Sequence, residues 1–117
     1  MDAISVAVAR QVSHSPVMLT GSQIKTLRTW ARIETQDELG RRAGVSRATV
    51  ARAEKMGDKL PDHLSVANMI SIVKVFEQAG AQFYLPQGDT LVQGVHIYYP
   101  PRPNQLPALE AKDEAGG

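Results

Sequence analysis

The stretch "TQDELGRRAGVSRATVARAEK", Thr35 to Lys55, leaves its backbone few choices. Thr35, followed three residues later by Glu38, reads as a capping box, so a helix starts at Gln36. Gly44 accepts the left-handed geometry of a helix stop and ends that helix near Ala43. Ser46 then caps another helix at once, Arg47 to about Lys55. Two short helices joined across "AGVS" require a sharp reversal. Val45 can plug the angle between them, and Leu39 and Val50 can meet behind the turn. The local pattern is a helix-turn-helix.

The flanks supply further helices. "TGSQ" is another capping box, with Thr20 as cap and Gln23 reaching back; Ile24, Leu27 and Ala31 follow at helical spacing with Trp30 beside them. A fourth helix is expected from about Leu64 to Ala79, with Val66, Met69, Ile70, Val73 and Phe76 as its apolar stripe and Gly80 as its stop. "MGDKLPD" is a loop. Then the period changes. "QFYL" and "LVQGVHIYY" are rich in β-branched and aromatic residues, and "PQGDT" between them completes a hairpin signal. The expected organisation is a mainly α chain: residues 1–19 an arm or strand ("ISVAVA" alternates), 20–80 the helical domain, 81–99 a β-hairpin, and 100–117 a proline-rich disordered tail.

A lone hairpin is marginal in water, so its apolar faces need cover. Phe83 and Leu85 share one face of the first strand, and Val95 and Ile97 one face of the second. Cover by the fourth helix is the bland alternative. The expected cover is the hairpin of a second subunit, giving a homodimer built from residues 80–99 with help from the N-terminal segment.

Charge is concentrated. Between Thr20 and Leu60 lie nine basic and five acidic residues, a balance of +4; four basic and seven acidic residues elsewhere give −3. A basic block of this kind is an electrostatic footprint for a polyanion, although a solvated helical surface has the same composition. The chain has no cysteine, which excludes a disulfide framework and a thiolate metal site. Its start is too polar for a secretory signal and no run is apolar enough to span a membrane, so a cytoplasmic location is expected. His14, His63 and His96 have no metal-ligand spacing. Asp62 beside His63 has no serine or cysteine motif to serve. Neither an enzyme nor a cofactor is expected.

Residues three and four apart share a helix face. Arg47, Ala51 and Lys55 therefore line up, as do Ala48 and Arg52, while Val50 falls opposite with Ala53 and Glu54. One face is small and basic; the other packs inward. The small residues would let the helix sit deep in a DNA major groove, where arginine suits a bidentate contact with guanine and Ala48 a thymine methyl.

The same stretch resembles the DNA-binding unit of the lambda repressor and Cro-like (Xre) family of transcriptional regulators. Gln36, Gly40, Gly44 and Val50 match that family's spacing, and Glu54 its acidic residue near the end of the recognition helix; the likeness covers residues 20–80. It implies a four-to-five-helix lambda-repressor-like domain followed by a dimerising hairpin. The implied partner is double-stranded DNA, read as a palindrome by a homodimer. Gln36 and Ser46 would meet phosphates, Ser46 alternatively a base edge. Arg47, Ala48 and Arg52 would read bases, with Ala51 and Lys55 flanking. An Arg28–Glu54 ion pair between helices is also implied; two separate exposed charges are the alternative. Three departures concern loop geometry: Gly40 where the family usually has alanine, a slightly long "RIET" link, and a glycine displaced to Gly57. A repressor is the simplest function. The rival is an antitoxin that binds a toxin partner and regulates its own operon. A helix-turn-helix used only for packing, with Arg47 and Arg52 merely solvated, is the bland alternative.

Overall fold

The computed structural model describes residues 17–84 and 95–109. The chain is mainly helical: α1 (Gly21–Trp30), α2 (Gln36–Ala43), α3 (Arg47–Glu54) and α4 (Val66–Gln78) precede a two-stranded antiparallel sheet of β1 (Gln82–Tyr84) and β2 (His96–Tyr98). Each helix starts where a hydroxyl satisfies an amide that would otherwise lack a partner. Thr20 and Gln23 form the full reciprocal box, at 3.1 and 3.0 Å. Thr35 accepts from the Glu38 amide at 2.9 Å, but the Glu38 carboxylate turns to Arg42 of the next turn. Ser46 and Ser65 cap α3 and α4.

α2 packs on both α3 and α4, and α1 packs on α3. The shared core includes Leu19, Ile24, Leu27, Leu39, Val50, Met69 and Phe76. Two glycines set how closely the helices approach. A Cβ on Gly21 would lie 2.4 Å from the Ala53 carbonyl oxygen, and one on Gly40 equally close to that of Val45. Gly40 thus has a packing reason: the backbone after Gly44 folds directly over it, and its own carbonyl accepts from the Val45 amide at 2.8 Å. Gly44 adopts φ +73°, the expected left-handed stop.

α1 stops differently. Ile33 donates to the Arg28 carbonyl and Arg32 to that of Thr29, the paired bonds of a Schellman motif. The left-handed residue is Arg32, at φ +63°. An L side chain there costs about 1 kcal/mol against glycine. Arg32→Gly is therefore expected to stabilise the chain by about 1 kcal/mol, offset in part by glycine's greater freedom when unfolded, and read as a higher urea midpoint at unchanged slope. An unchanged or lower midpoint would show that the arginine side chain holds the link in place.

Three expectations change. α4 begins at Val66, not Leu64; Leu64 is buried ahead of the cap, and Val66, expected in the apolar stripe, is 51 % exposed. Ile72 and Val75 join Met69, Val73 and Phe76 in the core instead. The hairpin's inner face is covered by its own chain: Phe83 is 0 % exposed, Val95 is buried, and Ile97 packs against the same core. The need for cover therefore no longer argues for a second subunit. Leu85 and "PQGDT" lie outside the described residues, as do residues 1–16. Finally, residues 100–109, expected as part of a disordered tail, run across the domain. Pro100 accepts from Trp30 Nε1 at 2.9 Å, Asn104 donates to the carbonyls of Ala79 and Gln78, and Pro107 accepts from Arg42 at 2.7 Å. The prolines stiffen a segment that Tyr99 and Leu106 fix to the core. Residues 110–117 fall outside the described set.

Candidate nucleic-acid interface

α3 sorts its side chains sharply. Val50, Ala53 and Glu54 face inward, while Arg47, Ala48, Arg52 and Lys55 are exposed and Ala51 is half-buried. This is the division that the helical spacing predicts. The side chains of Arg47, Arg52 and Lys55 make no hydrogen bond or ion pair with any described residue. The helix's one acid is turned away from them, so its outer face carries three cations and no anion.

Glu54 is where the domain's polar interactions converge. Its Oε2 accepts from Arg28 Nε at 2.7 Å and its Oε1 from Arg28 Nη2 at 3.1 Å, a bidentate pair with side chains 12 % and 5 % exposed. The same Oε1 accepts from Gln36 Nε2 at 3.1 Å. Arg28 Nη1 also donates to the Ile33 and Glu34 carbonyls. One carboxylate thus ties α1, the start of α2 and the end of α3, and Arg28 extends the cluster to the α1–α2 link. The Glu54 hydrogen bonds hold the Arg28 guanidinium above its already high usual pKa, against the opposing effect of burial. The ion pair is present, and separate exposed charges are not.

Two expected phosphate contacts are partly engaged within the chain. Gln36 sits half-buried at the first position of α2 and commits one of its two amide hydrogens to Glu54. Ser46 is exposed, but its hydroxyl accepts from the Thr49 amide at 3.1 Å and shares a hydrogen bond with the Thr49 hydroxyl at 2.8 Å. Arg42 is bound to Glu38 and Pro107, away from the α3 cations. Sequence reasoning missed Gln36 as a partner of Glu54. The eighteen-residue separation carries no local signal, and only the assembled helices bring the two together.

Among the described residues no group of three His, Cys, Asp or Glu side chains is placed to hold a metal ion, and no helix is long and apolar enough to cross a membrane. His63 Nε2 is buried without a hydrogen-bond partner among them, and Asp62 beside it is exposed. No protein-family model, curated protein or solved structure matches the chain.

Proposed function

We propose that this chain is a sequence-specific double-stranded DNA-binding regulator of the lambda repressor/Cro-like type, with α3 as its major-groove helix. The observation that carries the reading is the outer face of α3: Arg47, Arg52 and Lys55, without partners among the described residues, around Ala48 and Ala51, with Glu54 turned inward. A helix of this length is about 12 Å long, similar to the width of the major groove. Small residues at its centre allow close approach, and the cations reach base edges and phosphates. Turning Glu54 inward removes the one charge on α3 that phosphates would repel.

One such helix reads only a few base pairs, so useful specificity calls for two. A homodimer on a palindrome, with half-sites about 34 Å apart, is the natural arrangement. With the hairpin's inner face already covered, pairing would use the outer edges of β1 and β2, which carry no neighbouring strand among the described residues, or the outer face, where Tyr98 is 51 % exposed. Occupying a promoter in this way would block polymerase, hence a repressor.

Selection of bound duplexes from a random pool tests the reading, since a palindrome should emerge. On the selected site, Arg52→Ala is expected to relax one base-pair preference and cost roughly 1–3 kcal/mol. Lys55→Ala should instead weaken all duplexes evenly and reduce the salt slope. Enrichment of no sequence, or wild-type binding by both variants, would remove α3 as the reading helix.

A further inference from the structure

A cavity of about 680 Å3 lies between the α1–α2 link, the outer side of α2 and the C-terminal segment. Its size is typical of small-molecule sites, which run to roughly 300–1,000 Å3. Three arginines line it, Arg32, Arg42 and Arg102, against one acid, Glu38. Glu38 is already spent on Arg42, at 2.9 Å. The side chains of Arg32 and Arg102 are exposed and have no hydrogen-bond or ion-pair partner among the described residues. Pro103 and Leu106, both half-buried, give the cavity an apolar side.

We infer that this cavity binds a small organic anion, a carboxylate or phosphate head on a compact apolar body, with Arg32 and Arg102 gripping the head and Pro103 and Leu106 flanking the body. Three observations converge. The two cations come from chain segments seventy residues apart, yet line one cavity. The wall that carries Arg102 is held in place by Asn104, which bonds the end of α4, and by Pro107, which accepts from Arg42. Arg32 occupies a left-handed position that glycine fills with less strain, so an arginine there is not what helix termination alone would select. Arginine's planar fork matches both head groups in bidentate fashion. The anion would bridge the link to the C-terminal segment and so bear on how firmly that segment is clamped to α2. None of this depends on α3 binding DNA.

The test is an amide-shift titration of the isotopically labelled full chain, without DNA, by NMR. The probes are phenylphosphate and phenylacetate for the two head groups, benzyl alcohol for the uncharged ring, and inorganic phosphate for the bare charge. The expected result is saturable shifts at Ala31–Ile33 and Arg102–Leu106 with at least one of the two ring-bearing anions, and the better of them identifies the head. Binding should be about tenfold or more weaker with each control probe, and about tenfold or more weaker in Arg102→Ala and in Arg32→Gly. Both variants alter exposed side chains, and Arg32→Gly relieves strain, so both keep the fold for the comparison. No saturable shift up to about 10 mM probe, equal binding of benzyl alcohol, or undiminished binding by the variants would overturn the inference. So would a parallel titration with duplex DNA as the probe in which DNA alone shifts these amides. In that case the two arginines grip a DNA backbone.

Discussion

Glu54→Ala is expected to lower the unfolding free energy by about 3 kcal/mol. Removing one partner of a buried, bidentate ion pair costs about 3–5 kcal/mol, because the remaining charge stays desolvated. The low end applies here, since Arg28 keeps its bonds to the Ile33 and Glu34 carbonyls. Gln36 also loses its acceptor. Urea unfolding measures the loss as a lower midpoint at unchanged slope. Arg28→Met combined with Glu54→Ala should recover part of it, because no orphaned charge remains; a double-mutant cycle isolates the coupling. A loss below about 0.5 kcal/mol would mean that the pair is no more than a solvated surface contact. The pH behaviour follows from sign. Arg28's pKa is raised in the folded state, so its contribution is fully present below the usual arginine range and fades only in strong alkali. Arg28 therefore adds no pH dependence near neutrality.

The parts of this fold legible in the sequence are those fixed by neighbours in the chain. Thr20, Thr35 and Ser46 announce helix starts because each hydroxyl bonds an amide three residues on. Gly44 announces a stop because its conformation is local. The two faces of α3 follow from spacing alone. What could not be read depends on distant partners. The C-terminal segment looked disordered because its prolines hide any period, and its anchors, Trp30 and Arg42, lie seventy and sixty-five residues away. Val66 looked like a core residue because spacing says which residues share a face, not where the helix begins relative to its neighbours. Gly40 stood out because the resembled pattern usually has alanine there. The reason for it, the Val45 carbonyl above it, belongs to the turn and not to the helix. The candidate interface was legible as a set of cations. That Gln36 and Glu54 form one polar cluster behind it was not.

Phe83→Ala is expected to cost about 3–5 kcal/mol, the range for deleting a fully buried phenyl side chain. Phe83 is among the largest fully buried side chains, and it is the one point where β1 enters the helical core; its strand neighbours Gln82 and Tyr84 are only half-buried. Its partner across the sheet is Ile97, so the cavity would loosen β2 as well. The substitution also separates two roles for the hairpin. If the inner face belongs to the monomer's own core, the urea midpoint falls by the same amount at every protein concentration at which the oligomeric state is unchanged. Light scattering then shows the same state for variant and wild type under folding conditions. If the inner face instead belongs to a subunit interface, the wild-type midpoint rises with protein concentration, the variant dissociates and loses that dependence, and its folded monomer keeps its stability. That second outcome would overturn the intrachain core described for Phe83. It would also return the hairpin to the dimerising role that its two apolar faces suggested from the sequence. Under the first outcome, any dimer that reads a palindrome is held by a surface other than the hairpin's inner face, and the Tyr98 face is the candidate among the described residues. Tyr98→Ala should then weaken the dimer while leaving the urea midpoint of the monomer near that of the wild type, because an exposed side chain contributes little to the core.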